Sequence, residues 1–130
     1  MATPARLKIG RLGEFDFPAG WYAYVGSAFG SGGLRGRLKH HLSQVKKPHW
    51  HIDYLRMAAN VHEVWWITSD TVYEHIWSDA LRFSPGALTL MSRFGASDCK
   101  CLSHLVYFIN RPNFTVFETD VMLNQEIVLM

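Results

Sequence analysis

Apolar and polar positions alternate over the first part of the chain and give way to helical spacing beyond residue 33. Leu7 to Ile9 predicts a short strand, a turn is expected at Gly13-Glu14, and Phe15-Asp16-Phe17 alternates again before Pro18 stops it. Trp21 to Val25 is the next predicted strand, with Trp21, Ala23 and Val25 on one face and Tyr22, Tyr24 and Gly26 on the other. One face is then apolar and the other carries two phenols. The glycine-rich run Phe29 to Gly33 opens a helix expected from about Leu34 to Lys47, on which Leu34, Leu38, Leu42 and Val45 follow helical spacing, and Pro48 ends it. Trp50, Tyr54 and Met57 repeat at the spacing of a second, short helix. Val61 to Thr68 reads as a strand, and Ser69 or Asp70 is placed to cap a helix from about Thr71 to Phe83, with Ile76, Trp77, Ala80 and Leu81 inward. His104 to Ile109 reads as another strand, and the last twenty residues take no clear pattern.

At 130 residues, nearly half of them apolar, the chain suffices for one domain with one core. No repeat, low-complexity tract or Pro/Gly/Ser-rich linker divides it. No apolar run approaches the roughly 18 residues of a membrane span, and Met1 to Arg6 lacks the apolar stretch of a signal peptide, so a cytoplasmic protein without membrane contact is expected. The net charge of +2 conceals an asymmetry. Residues 1–56 hold nine of the thirteen Lys and Arg but three of the eleven acids, which makes that part +6 and the remainder −4. Four histidines between His40 and His51 lie in the basic part. A polyanionic partner fits this distribution, and so does an ordinary solvated basic face.

Two groups of side chains carry candidate chemistry. On the first long helix Arg37 and His41 are one turn apart and face the same way, so a guanidinium and an imidazole converge on one anion beside Tyr22 and Tyr24. Arg37 suits phosphate because its planar fork donates two parallel hydrogen bonds and never loses its charge. The competing readings are a surface ion pair for Arg37 and a packed imidazole for His41. Arg35, Lys39, Lys46 and Lys47 add cations that would meet a nucleic-acid backbone. The second group is Cys99, Cys101 and His104, with His49 or His51 as a fourth ligand for zinc; the alternative is a pair of small buried thiols. The single residue between the cysteines closes too small a loop for an unstrained disulfide. In His49-Trp50-His51-Ile52-Asp53 an aspartate beside a histidine would fix its tautomer if the segment were extended, whereas in a helix only His49 and Asp53 align.

The segment from Gly20 to Ala28, the glycine loop, and Arg37 to His41 together resemble the GIY-YIG nuclease superfamily, with Tyr24-Val25-Gly26 matching its second signature and Arg37 with His41 matching the Arg-x-x-x-His pattern. The resemblance is closest to a little-characterised branch, through the blocks Gly10 to Gly13, Tyr24 to Ala28, His49 to Leu55, and Phe94 to Cys101, which span roughly residues 7 to 108. It implies an α/β (α+β) domain with a small, mainly antiparallel sheet flanked by helices. It implies a metal-dependent endonuclease acting on DNA or structured nucleic acid, in which Glu74 holds one Mg²⁺ or Mn²⁺ and a tyrosine serves in activating water; a carboxylate near a helix N-terminus is the other reading of Glu74. The chain departs from the pattern at the first signature, because no Gly-x-Tyr precedes residue 20 and Gly20-Trp21-Tyr22 is joined directly to the second. Either Tyr22 substitutes from the face of Tyr24, or the first strand is missing from this sequence.

The expectation is one GIY-YIG-like domain over residues 1–130, with about 110–130 as a C-terminal extension, and a catalytic set of Tyr22, Tyr24, Arg37, His41 and Glu74. A non-catalytic nucleic-acid-binding module built on the same surface is the alternative. A protein-interaction domain using Trp65, Trp66 and Phe114 is a third.

Overall fold

The computed structural model describes residues 1–27, 39–40, 42–44, 47–48, 50–66, 81–94, 103–112 and 125–130. The opening alternation forms a hairpin of β1 (Ala5–Ile9) and β2 (Gly13–Phe17), with Ala5 opposite Phe17, Leu7 opposite Phe15 and Ile9 opposite Gly13. Ile9 and Phe17 are wholly buried, Leu7 and Phe15 pack against the core, and the alternate positions face solvent. There Arg6 pairs with Asp16 at 3.0 Å and with Glu14 at 3.1 Å. The turn expected at Gly13-Glu14 lies instead at residues 10–12, where the Leu12 N–H donates to the Ile9 carbonyl at 2.8 Å. Gly10 makes this possible with φ +49, a left-handed conformation costly for other residues, directly beneath the Tyr54 ring.

The second sheet contains β3 (Trp21–Ser27), β4 (Glu63–Trp66), β5 (Leu105–Phe108) and β6 (Gln125–Leu129) in the order β4-β6-β3-β5, every neighbouring pair antiparallel. β6, near the end of the chain, lies between β3 and β4. A single pair of backbone hydrogen bonds between Leu88 and Tyr107, 2.8 and 2.9 Å, continues the sheet beyond β5. The expected strands at 61–68 and 104–109 are present in shortened form as β4 and β5.

One complete helix, α1 (His51–Arg56), lies among the described residues. Its buried positions are Ile52, Asp53 and Leu55, continued by Ala59, rather than the expected Trp50, Tyr54 and Met57 stripe; Met57 is exposed, while Trp50 and Tyr54 flank the core. The helix packs against β1, with Ile52 and Leu55 fully buried and the Tyr54 ring over Gly10. Lys39, His40 and Leu42 are helical, but Ser43 is already a bend, so the helix expected to run to Lys47 ends sooner, and Leu42, expected inward, is exposed. Leu81 is helical and fully buried as expected. Leu34, Leu38, Val45, Ile76, Trp77 and Ala80 lie outside the described residues.

The core joins the hairpin, α1 and the β3–β5 pair through Ile9, Phe17, Tyr22, Tyr24, Ile52, Leu55, Phe94, Leu105 and Tyr107. Each fully buried aliphatic or aromatic side chain there contributes roughly 1.5–3 kcal/mol of transfer free energy. Gly20, with φ +148, is required where β3 begins, since an added Cβ would lie 2.5 Å from the Tyr107 ring and 2.9 Å from the Phe108 carbonyl. Among the described residues no helix is long and apolar enough to cross a membrane.

Candidate functional site

β3 is buried on both faces: Tyr22 and Tyr24 join the core shared with the hairpin and α1, and Ala23 and Val25 are fully buried as well. Tyr22 is fully buried; its hydroxyl donates to the Pro18 carbonyl at 2.6 Å, and its ring lies 5.1 Å from that of Tyr107, whose own hydroxyl donates to the Ala19 carbonyl at 2.7 Å. Burial, reinforced by the neighbouring Tyr107, pushes ionisation of Tyr22 well above the ordinary phenol range. The two phenols therefore tie the turn at 18–20 to the sheet. Tyr24 is 4 % exposed and meets Phe94 edge-on, with ring centres 6.1 Å apart. His51 contacts the same Phe94 ring at 5.6 Å, and burial lowers its pKa.

The strongest polar cluster lies where residues 39–44 meet α1. Asp53 is completely buried, and its two oxygens are separately engaged: Oδ1 with His40 Nε2 at 2.8 Å, Oδ2 with the Trp50 N–H at 2.9 Å. The second bond satisfies a donor at the start of α1 that the helix itself leaves unpaired. The His40 ring stands edge-on to Trp50, centres 4.6 Å apart. One turn along α1, Arg56 places Nη1 3.6 Å from Asp53 Oδ1, with a side chain only 6 % exposed. The same guanidinium donates to the carbonyls of His40, at 3.1 Å, and Ser43. Those carbonyls lie at the end of the helical residues Lys39, His40 and Leu42, and the Ser43 hydroxyl adds a further bond to the His40 carbonyl at 2.8 Å. A cation from a second helix thus caps the end of the first, which explains why that helix stops there. Burial lowers the pKa of Arg56, and the carboxylate of Asp53 opposes the effect.

This arrangement redistributes the positive charge of the N-terminal half. Arg6 is neutralised on the hairpin surface and Arg56 is committed to the interior. Lys39 and Lys47 are exposed. Arg35, Arg37, His41, Lys46, Glu74, Cys99 and Cys101 lie outside the described residues, as do His49 and Phe114. His104 is buried before β5, its backbone bonded to Phe94 and Val25. Among the described residues no group of three His, Cys, Asp or Glu comes together as a metal-ligand set.

His40 and Arg56 are the functional-looking residues that sequence reasoning missed. Asp53 and Arg56 stand at the i, i+3 spacing of a helical ion pair, a usable signal once α1 is recognised. Nothing in the spacing links His40 to Asp53. The pairing of Asp53 with His49 that helical spacing suggests lies outside the described residues, because His49 does.

The chain matches, over residues 1–125, the family described as Domain of unknown function DUF123, and it belongs to that family. A search of curated proteins and a search of solved structures each gave no match.

Proposed function

We propose that this chain binds the phosphodiester backbone of DNA or structured nucleic acid through the basic segment from Arg35 to Lys47, and that it hydrolyses that backbone in the manner of the GIY-YIG nucleases it resembles. The observation that carries the binding half is the separation of charges around residues 39–47: Arg56 is held inside by Asp53, and Lys39 and Lys47 are left on the surface. Exposed cations close together in the chain suit an extended array of phosphates, whose condensed counterions they displace. Arg37 and His41 are the proposed contacts to the reacting phosphate, Arg37 by two parallel hydrogen bonds that strengthen as charge develops, and Tyr22 and Tyr24 are the tyrosines the resemblance assigns to the site. Glu74 is the proposed ligand of Mg²⁺ or Mn²⁺, which when bound would polarise the phosphate. Zinc held by Cys99, Cys101 and His104 is a separate, structural proposal.

A specific observation favours a second reading, the non-catalytic binding module. Both phenols of the signature strand are buried, and the Tyr22 hydroxyl is spent on Pro18. Wild type and Glu74→Gln, assayed on nicked, branched and linear DNA with and without Mn²⁺, separate the two. Mn²⁺-dependent cleavage by the wild type alone supports the enzyme. Salt-sensitive binding without cleavage by either supports the module.

A further inference from the structure

We propose that Asp53 is a positioning residue for nucleic-acid binding: by holding His40 directly, and the backbone of His40 and Ser43 through Arg56, it locks residues 39–40 and 42–44, with the exposed Lys39, onto α1 in one orientation. The proposal rests on the phosphodiester-binding reading and names what orders that surface.

Burying a carboxylate and a guanidinium together is a poor way to gain stability, because desolvation consumes most of the attraction and an apolar pair of equal volume often does as well. What such a pair does supply is a single geometry. Here the geometry is specified at four points: His40 Nε2 on Oδ1, the Trp50 N–H on Oδ2, and the Arg56 guanidinium on the carbonyls of His40 and Ser43. The first fixes the rotation of the helical segment about its axis, since His40 must face α1. At about 100° per residue, Lys39 is then carried off that contact, and it is exposed. The carbonyl bonds fix where the helix stops. The Arg56 guanidinium, its side chain 6 % exposed, is already engaged by Asp53 and by the two carbonyls.

The electrostatic and positioning roles of Asp53 predict opposite signs, which makes the test decisive. Removing a carboxylate from a basic region tightens binding to a polyanion if only charge matters. If Asp53 orders the segment, Asp53→Asn weakens binding, because the cations persist but must be immobilised on association. Two measurements on the full chain are needed: amide hydrogen exchange, and affinity for a short DNA duplex over a series of salt concentrations. In Asp53→Asn we expect amides at 39–44 to exchange about tenfold faster while those of β3 and β5 keep their protection. We expect duplex affinity to fall by about tenfold with a nearly unchanged salt slope. Should Asp53→Asn not fold, His40→Ala and His40→Gln serve in its place, since glutamine keeps a side-chain N–H for Asp53; Ala then shows the loss and Gln restores most of it. Unchanged exchange at 39–44 overturns the clamp. Faster exchange with equal or tighter duplex binding overturns the positioning role. A wild type that binds no duplex overturns the phosphodiester reading and this role with it, and the exchange data then say separately whether the clamp itself exists.

Discussion

The His40 imidazole and the Asp53 carboxylate meet at 2.8 Å although thirteen positions separate them in the chain, and Asp53 is wholly buried where they meet. Asp53→Ala removes one member of a buried charged cluster and leaves Arg56 without its counter-ion. We expect a loss of about 3–5 kcal/mol, the usual consequence of an uncompensated buried charge. Urea unfolding of the two proteins measures it. A loss below about 1 kcal/mol, the level of a surface pair, would show that the cluster is screened by water.

The Tyr22 hydroxyl is bound to the Pro18 carbonyl inside the core. Tyr22→Phe preserves the ring and removes one hydrogen bond, so stability should fall by roughly 0.5–1.5 kcal/mol with nucleic-acid affinity unchanged. Unfolding and binding measured on one preparation check both. A variant of normal stability that has lost Mn²⁺-dependent cleavage would instead assign Tyr22 to the chemistry.

Burial against Phe94 lowers the pKa of His51 from its ordinary 6.5, so the folded protein favours the neutral ring. The unfolded chain accordingly takes up the proton first as pH falls. The contribution of His51 to stability is complete above pH 6.5 and is lost as pH drops below it toward the lower, folded-state value. His51→Gln should therefore flatten the dependence of stability on pH between 7 and 5. Parallel curves for the two proteins, from unfolding midpoints at several pH values, would contradict this.

Local patterns carried the fold where each element's own alternation decided its faces. Leu7, Ile9, Phe15 and Phe17 point inward as a period of two requires, and Trp21 to Val25 forms a strand. The turn at 10–12 was misplaced because Gly10 and Gly13 both suit turns, and the choice depends on the Tyr54 ring arriving from α1. β6 was illegible because an interior strand takes its stability from neighbours on both sides, here β3 and β4, and not from its own periodicity. At the candidate site local spacing points to the right segment, but the bond between Asp53 and His40, thirteen positions apart, is a tertiary contact that no local spacing shows. Leu42 was read as core because helical spacing cannot show that the helix stops at Ser43, where Arg56 caps it.

The salt dependence of DNA binding tests the central claim most directly. If exposed cations including Lys39 and Lys47 meet phosphates, the logarithm of the binding constant falls linearly with the logarithm of salt concentration, with a slope of about −0.9 for each phosphate neutralised on duplex DNA. Lys39→Gln with Lys47→Gln should reduce that slope by about 2 and weaken binding on every duplex sequence alike. An affinity that stays flat from low to physiological salt, or a slope unmoved by the double substitution, would contradict the assignment of this basic segment to a phosphodiester backbone.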